Sequence, residues 1–216
     1  CPQNHRNKMR LEEAFGDKAR QADRNKHTKG NLSVSRRTGN RPQFHVDLPN
    51  VLSENPDCEI DNDHCGNGGD ELLAMLTRCC CDQDHPLAYP VSTYTLYPIL
   101  AEIQDARVIE IPFGPDYQLP DALKTTGAGL TILCNPNAPS GSLVDLDAVA
   151  NLARSLSGVL LIDEAYVDFA ERNCLPLLKD FNNIAILRTL SKGYSLAGLR
   201  FGFVIASPRI IEAIFK

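Results

Sequence analysis

The chain has 216 residues, 43% of them hydrophobic, and a formal net charge of -5 at pH 7. That is enough apolar material for one sizeable core, or for one core with an appended piece. No run approaches the roughly 18 apolar residues of a membrane span, and the start of the chain lacks the apolar core of a secretory signal, so we expect neither a membrane protein nor a secreted one.

The first 65 residues are basic and lack the hydrophobic pattern of a folded domain. Residues 1–45 carry 11 Lys and Arg against 4 Asp and Glu, whereas residues 46–216 carry 11 against 23. A basic arm can contact nucleic acid, but aromatic residues are nearly absent from this one, which favours a solvated segment. We therefore predict a poorly ordered segment over residues 1–65, with one helix around Met9–Ala19 and no nucleic-acid partner. The folded domain is predicted over residues 66–216.

From about residue 66, short apolar runs alternate with helical patterns. The runs are near-continuous, which is typical of strands that are covered on both faces. Six strands are predicted: Leu87–Tyr89, Val108–Phe113, Leu130–Cys134, Val159–Ile162, Ile184–Leu187 and Phe203–Ala206. Apolar residues at helical spacing predict helices over 72–80, 96–103 and 146–156. This alternation predicts an α/β domain with a largely parallel sheet and helices on both faces.

The sequence Gly66-Asn-Gly-Gly-Asp-Glu71 opens the first predicted helix. A helix start presents free N–H groups to an anion, and consecutive glycines let the backbone approach it closely. A dinucleotide-binding fingerprint fits poorly, because the third glycine is missing and the preceding residues 58–65 are too polar for a convincing strand. We therefore predict a phosphate seat, to which Ser191 and Arg200 could add a hydroxyl and charged donors.

Tyr94 lies where the first predicted strand gives way to a helix. Its ring could stack on a planar ligand. Ordinary packing against the helix explains its position equally well.

Polar residues follow three of the predicted strands at the point where each strand ends. The strand ending at Cys134 leads into NPNAPSG, the strand ending at Ile162 leads into DEAY, and the strand ending at Leu187 leads into RTLSKGY. Ligands of open α/β sheets gather beyond the carboxyl ends of the strands. The three endings would therefore place an amide, an acid, a phenol and an amine around one shared space.

Asp163 and Lys192 are the two residues here with the most distinctive chemistry. A carboxylate directly after four apolar residues is costly unless a cation or a strong donor meets it. A lysine in a semi-enclosed site near other cations has its pKa lowered, so that its neutral amine can form an imine. Taken alone, each residue is structural more often than not, and for Asp163 the alternative is a structural ion pair or a helix cap. Together they match pyridoxal phosphate, which needs an imine-forming lysine and a carboxylate at its ring nitrogen.

The eight cysteines are placed unlike those of a disulfide scaffold or a zinc site. Cys79, Cys80 and Cys81 are consecutive, and the sequence contains no CxxC pair. A zinc set of Asp63-His64-Cys65 with Cys79 lacks the usual ligand spacing. We therefore predict reduced cysteines that pack as small hydrophobic side chains, no metal site and a cytoplasmic location.

Five segments resemble the fold-type I pyridoxal-phosphate aminotransferases, and within them the histidinol-phosphate branch. They are GNGGDELLAML, YPVSTYTLYPILAEIQ, CNPNAPSG, LIDEAYVDF and LRTLSKGYSLAGLRFG, and they span about residues 66–214. The resemblance implies that Lys192 forms the imine, that Asp163 faces the pyridine nitrogen and that Tyr166 bonds the ring hydroxyl oxygen. It also implies stacking by Tyr94 and a phosphate held by Gly69, Asp70, Ser191 and Arg200, the first two mainly through their backbone.

The sequence departs from the family pattern in three places. Where the family has Asn directly before Pro-Ser/Thr-Gly, this chain has Ala138, and we predict that Asn137 substitutes for it. The family carries Asn-Glu-Asn-Pro well upstream of the glycine-rich motif, whereas Ser53-Glu-Asn-Pro56 lies only ten residues before Gly66, which indicates a missing segment or a chance likeness. Family members also continue into a small C-terminal domain with an arginine that grips the substrate carboxylate, and we expect this chain to lack it.

For the complete enzyme, the resemblance implies amino transfer between histidinol phosphate or imidazole acetol phosphate and glutamate or 2-oxoglutarate, in histidine biosynthesis. It also implies a homodimer with small-molecule substrates. Two alternatives remain from the sequence. One is another class I or II aminotransferase, or a pyridoxal-phosphate decarboxylase, acting on an aromatic or other amino acid. The other is an inactive, truncated fragment.

Overall fold

The computed structural model describes residues 63–215, which form seven strands and four α-helices. The strands are β1 (Asp63–Asn67), β2 (Leu87–Val91), β3 (Val108–Pro112), β4 (Leu130–Cys134), β5 (Val159–Asp163), β6 (Ile184–Thr189) and β7 (Phe201–Ala206). The helices are α1 (Gly69–Cys80), α2 (Leu96–Ile103), α3 (Leu146–Ser155) and α4 (Pro208–Ile214).

All seven strands form one sheet in the order β1-β7-β6-β5-β4-β2-β3. Neighbours from β6 to β3 are parallel, whereas β7 is antiparallel to both β6 and β1. Parallel neighbours need crossover connections, and these return every strand to the same starting edge. The carboxyl ends of β1, β2 and β4 to β6 therefore lie along one edge, and the start of β7 lies beside them.

The core forms on both faces of the central strands. One cluster joins alternate sheet residues such as Ile132 and Leu161 to apolar residues of α1, α2 and α4. Their neighbours Leu133, Leu160 and Ile162, which point to the other face, are completely buried as well. Burial of one such leucine side chain contributes about 1.5–3 kcal/mol relative to exposure, so the central strands form a rigid platform for the residues at their ends.

The predicted α/β fold with a largely parallel sheet is confirmed. The six predicted strands agree with β2 to β7 to within about two residues at either end. The expectation that the strands are covered on both faces is wrong for β3, because this strand lies at the edge of the sheet and Val108 is 38% exposed.

The expectation that no strand precedes the glycine-rich sequence is also wrong. Asp63–Asn67 pairs along its whole length with Phe201–Ile205 of β7. As the other edge strand, β1 is held by backbone hydrogen bonds on one side and needs no continuous apolar run. It crosses the boundary that the sequence placed between residues 65 and 66. The rest of the predicted basic segment, with its helix at Met9–Ala19 and Ser53–Pro56, lies outside the described residues.

Within residues 63–215, no helix is long and apolar enough to cross a membrane. The same residues contain no group of three or more His, Cys, Asp or Glu side chains that could hold a metal ion. The six described cysteines, Cys65, Cys79, Cys80, Cys81, Cys134 and Cys174, are all free thiols.

Candidate active site

A cavity of about 180 Å³ opens at the carboxyl edge of the sheet, where α1 begins and where β4, β5 and β6 end. Eight of the nine site residues predicted from the sequence line it: Gly69, Asp70, Tyr94, Asp163, Tyr166, Ser191, Lys192 and Arg200. The ninth, Asn137, does not. The cavity therefore brings together one amine, one guanidinium, two carboxylates, two phenols and a hydroxyl.

Asp163 is the last residue of β5 and is only 3% exposed. Its Oδ2 accepts a hydrogen bond from the Tyr97 hydroxyl at 2.8 Å, and its Oδ1 accepts one from the Ala165 backbone N–H at 3.1 Å. Burial raises the pKa of Asp163, and the nearby Asp70 charge adds to this rise, whereas the two hydrogen bonds and Lys192 oppose it. A positively charged group in the cavity would therefore stabilise the ionised carboxylate.

Lys192 lies in the loop that joins β6 to β7, and its side chain lines the cavity. Its Nζ lies 5.3 Å from the centre of the Tyr166 ring, within the range of a cation–π contact. The next residue, Gly193, packs so tightly against the Asp168 carboxylate that a Cβ atom at this position would overlap it. A glycine is needed here because the loop backbone passes directly over Asp168.

The start of α1 and Arg200 form the cationic end of the cavity. Gly68 precedes the helix with φ 84° and makes no side-chain cap, so the first N–H groups of α1 have no capping side chain. Arg200 has φ 53°; its Nη2 donates to the Asn67 carbonyl at 3.3 Å and lies 3.9 Å from Asp70 Oδ2. A Cβ atom on Gly68 would overlap this guanidinium. The positive φ therefore favours glycine at Gly68, and a side chain there would displace the Arg200 guanidinium.

The hydroxyl groups beside this cationic end come from the end of β6. Thr189 Oγ1 donates to Ser191 Oγ at 3.0 Å and accepts from the Ser191 backbone N–H at 3.2 Å. Both residues line the cavity. An anion at this end would meet a serine hydroxyl, backbone N–H groups and a guanidinium, which is the donor set of a phosphate site.

The aromatic wall of the cavity is Tyr94, which stands just before α2 and is 37% exposed. Its ring meets the ring of Tyr97 edge-on, with centres 5.6 Å apart and planes at 84°. Its hydroxyl donates a long hydrogen bond of 3.4 Å to Asp70 Oδ1. The Tyr94 side chain is thus held by contacts with Tyr97 and Asp70.

Asn137 is the predicted site residue that the structure does not bring to the cavity. Its Nδ2 donates to the Ser92 carbonyl at 3.1 Å and to Ser140 Oγ at 2.9 Å, and the residue is only 2% exposed. The amide nitrogen therefore joins two loops, whereas Oδ1 is buried without a hydrogen-bond partner among the described residues. Ala138 lines the cavity instead. That Asn137 replaces the missing asparagine stays a prediction.

Sequence reasoning missed the apolar and small residues that complete the cavity: Leu73, Cys134, Ala138, Ala165, Leu187, Thr189 and Ala197. Cys134, Leu187 and Thr189 are strand-terminal or nearly so, which is the signal that could have found them.

A buried ion pair lies behind the site and was also missed. Arg188 Nε donates to Glu164 Oε2 at 2.8 Å, and the Glu164 side chain is 0% exposed. The Cys174 backbone N–H donates to the other oxygen, Oε1, at 2.6 Å. Burial raises the pKa of Glu164, and Arg188 opposes that rise. Because Glu164 follows Asp163 and Arg188 lies in β6, the pair ties together the ends of two strands that carry site residues.

The fold and the position of the cavity are typical of one class of protein: α/β domains that bind ligands beyond the carboxyl ends of their parallel strands. The family model "Aminotransferase class I and II" matches residues 17–216. The chain belongs to the class I and II aminotransferase family.

Individual relatives show which aminotransferases the chain is similar to. Histidinol-phosphate aminotransferase 1 from Trichormus variabilis is 46% identical over 152 residues, which is 70% of this chain and 43% of that protein. The histidinol-phosphate aminotransferase from Rhodopirellula baltica is 44% identical over 153 residues, or 70% of this chain and 42% of that protein. The crystal structure of histidinol-phosphate aminotransferase from Sinorhizobium meliloti in complex with pyridoxal-5'-phosphate is 29% identical, with a TM-score of 0.68. That match covers 77% of this chain and 48% of the solved chain. The chain thus spans less than half the length of these relatives.

Proposed function

We propose that the described residues form the pyridoxal-phosphate-binding part of an aminotransferase. The observation that carries the proposal is that Lys192 and Asp163 line the same cavity, from neighbouring strands, with a cationic seat at one end. An amine, a buried carboxylate and a phosphate seat are the groups that this cofactor requires of a protein. The donor set of the cavity therefore fits pyridoxal phosphate.

The proposed roles follow from the position of each side chain. Lys192 is the amine that tethers the cofactor and, once free, takes and returns the proton at the substrate Cα. Asp163 holds a proton on the ring nitrogen, and Tyr166 donates to the ring oxygen. When bound, pyridoxal phosphate supplies a carbonyl that accepts amines and a ring that withdraws electrons from Cα.

The remaining residues bind and orient. The phosphate would be held by the backbone of Gly69 and Asp70, the Ser191 hydroxyl and the Arg200 guanidinium, which stand together at one end of the cavity. Tyr94 would stack on the ring and keep water from that face. Asn137 lies outside the cavity lining, and its Nδ2 donates to Ser92 and Ser140, so a contact between Asn137 and the cofactor ring stays a prediction from the sequence.

For the complete protein, we propose amino transfer between histidinol phosphate and 2-oxoglutarate in histidine biosynthesis. The support is the similarity to histidinol-phosphate aminotransferases, at 46% and 44% identity over 70% of the chain. The proposal includes the homodimer and the cytoplasmic location that the family resemblance implies. The free thiols of the described cysteines are consistent with a reducing compartment.

The cofactor proposal is tested by adding pyridoxal phosphate to the purified chain and recording the visible absorption of the lysine-bound cofactor. We expect the band in the wild-type chain and in Lys124→Ala, which removes an exposed lysine paired with Asp121 away from the cavity. Lys192→Ala should lose the band. A band that survives in Lys192→Ala would refute the assignment.

The substrate proposal needs a protein extended to the full length of its relatives. With histidinol phosphate as amino donor, the cofactor-loaded protein should convert 2-oxoglutarate to glutamate, and aromatic amino acids should be poorer donors. Equal or better turnover of aromatic amino acids, or release of carbon dioxide in place of glutamate formation, would support the alternatives instead.

A further inference from the structure

Tyr97 contacts the candidate site from behind without lining the cavity. It lies in α2 and is 0% exposed, and its hydroxyl donates to Asp163 Oδ2 at 2.8 Å. Its ring supports Tyr94 edge-on at 5.6 Å. A single buried side chain therefore contacts both the residue proposed for the ring nitrogen and the residue proposed to stack on the ring.

The hydrogen bond from Tyr97 fixes the orientation of the Asp163 carboxylate. Tyr97 holds Oδ2 from α2, and the Ala165 backbone N–H holds Oδ1 from the end of β5. Because each oxygen accepts one hydrogen bond, rotation of the carboxylate would break a buried hydrogen bond. Leaving a buried donor or acceptor without a partner costs more free energy than an intact hydrogen bond contributes to stability. The lone pairs that remain are available to a partner in the cavity.

The same bond favours the ionised form of Asp163. Burial raises the pKa of this carboxyl, and the Tyr97 hydroxyl is the largest influence that lowers it. Hydrogen bonds to a charged group are roughly twice as strong as bonds between neutral groups. Without the phenol, the carboxylate would keep only the Ala165 N–H and the Lys192 charge as compensation.

We propose that Tyr97 is a positioning residue, which keeps the Asp163 carboxylate ionised and oriented toward the cavity for the ring nitrogen of the cofactor. The inference rests on the proposed function of Asp163. Tyr97 does not touch the cavity itself, so its effect on the ligand is transmitted through Asp163 and through the support it gives to Tyr94.

Several other titratable groups lie near Asp163, and their charges could contribute to any pH dependence of cofactor binding. Asp70 acts from the start of α1 and Lys192 from the loop after β6. Cys134 faces it from the end of β4, and burial raises the pKa of that thiol to about 12. Burial also raises the pKa of Tyr97 well above its ordinary value. Cys134 and Tyr97 therefore stay neutral near neutral pH, and Asp163 itself is the group whose charge changes when Tyr97 is altered.

Tyr89 provides a matched control. It is 1% exposed, its ring lies 5.7 Å from that of Tyr97, and its hydroxyl donates to Glu110 Oε1 at 2.6 Å. Tyr89→Phe therefore removes a phenol hydroxyl of the same core cluster from a carboxylate partner, Glu110, that is exposed. Unlike Tyr97→Phe, it leaves the hydrogen bonds of Asp163 intact.

The experiment compares pyridoxal phosphate binding to the wild-type chain, Tyr97→Phe and Tyr89→Phe by the absorption of the lysine-bound cofactor. At about pH 6.5, Tyr97→Phe should weaken binding by about tenfold or more, the value of one hydrogen bond to a charged group. The loss of binding affinity in Tyr97→Phe should become smaller as the pH rises, because in this variant Asp163 ionises at a higher pH than in wild type. Tyr89→Phe should bind within about twofold of wild type at every pH.

A second measurement needs no cofactor. Titration of the Asp163 carboxyl carbon by NMR, assigned with Asp163→Asn, should show a higher pKa in Tyr97→Phe than in wild type and no change in Tyr89→Phe. If the wild-type chain forms no adduct, the proposed function fails, while the titration still decides the role of Tyr97. Equal behaviour of the two phenylalanine variants in both measurements would overturn the inference.

Discussion

Replacing Arg188 by leucine should destabilise the fold, because it leaves the Glu164 carboxylate buried without its cation. The side chains are 12% and 0% exposed, and Arg188 Nε lies 2.8 Å from Glu164 Oε2. Removing one partner of a buried ion pair costs about 3–5 kcal/mol. The Cys174 N–H remains on Oε1, so we place Arg188→Leu at the lower end, about 3 kcal/mol of unfolding free energy at about pH 8.

The loss should also depend on pH. Burial raises the pKa of Glu164, and Arg188 opposes that rise in the wild-type chain. Without Arg188 the folded state binds its Glu164 proton up to a higher pH, whereas the unfolded state keeps the ordinary value of about 4.3. When the pKa of an acid is higher in the folded state than in the unfolded state, the protein loses stability as the pH rises from the unfolded-state pKa through the folded-state pKa. The deficit should therefore be smaller at about pH 5 than at about pH 8.

Urea unfolding followed by circular dichroism at both pH values measures this. Arg172→Leu is the matched control, since it breaks a 2.9 Å pair with Asp145 whose side chains are 50% and 69% exposed. That exposed pair should contribute less than about 1 kcal/mol at either pH. The reasoning is refuted if the two variants lose equal stability at about pH 8, or if the Arg188→Leu deficit is the same at both pH values.

Two further predictions concern the backbone and the thiols. Gly68→Ala and Gly127→Ala should each lose about 1–3 kcal/mol of stability through their positive φ of 84° and 64°, as measured by urea unfolding. Only Gly68→Ala should also weaken pyridoxal phosphate binding, because a Cβ atom at this position overlaps Arg200, whereas a Cβ atom at Gly127 has no atom within 4 Å. Equal binding by the two variants would contradict this prediction. Iodoacetamide at about pH 8 should alkylate the exposed Cys79 well before Cys134, because burial raises the pKa of Cys134 to about 12. Peptide mass spectrometry reports both rates, and equal rates would show that Cys134 is accessible.

The central strands could be predicted from the sequence because their residues are apolar on both sides of the sheet. Leu130–Cys134 was predicted at its observed bounds because every residue in it is buried. Asp63–Asn67 was missed because an edge strand paired on one side needs no apolar run, and its partner β7 lies more than a hundred residues later in the chain. Pairing between such distant segments leaves no local signal.

The same distinction holds at the site. Asp163 and Lys192 follow strands that are easy to recognise, so their shared edge could be inferred before any contact was known. Tyr97 and Arg188 were missed because a buried tyrosine or arginine is recognised only through its partner, and those partners are 66 and 24 residues away. The position of Asn137 outside the cavity lining could not be predicted, because the acceptors of its Nδ2 lie in separate loops and leave no signal in the local sequence.

Lys192 and Arg200 both lie in the loop of the hairpin that β6 and β7 form. The last strand pair before this loop is Thr189 with Gly202. The residue proposed to bind the cofactor covalently and a residue proposed to bind its phosphate thus lie on one hairpin. A residue inserted between them would leave every strand pairing intact and still change the separation of these two residues. We therefore expect this hairpin to tolerate insertions poorly, even though almost all of its residues are exposed.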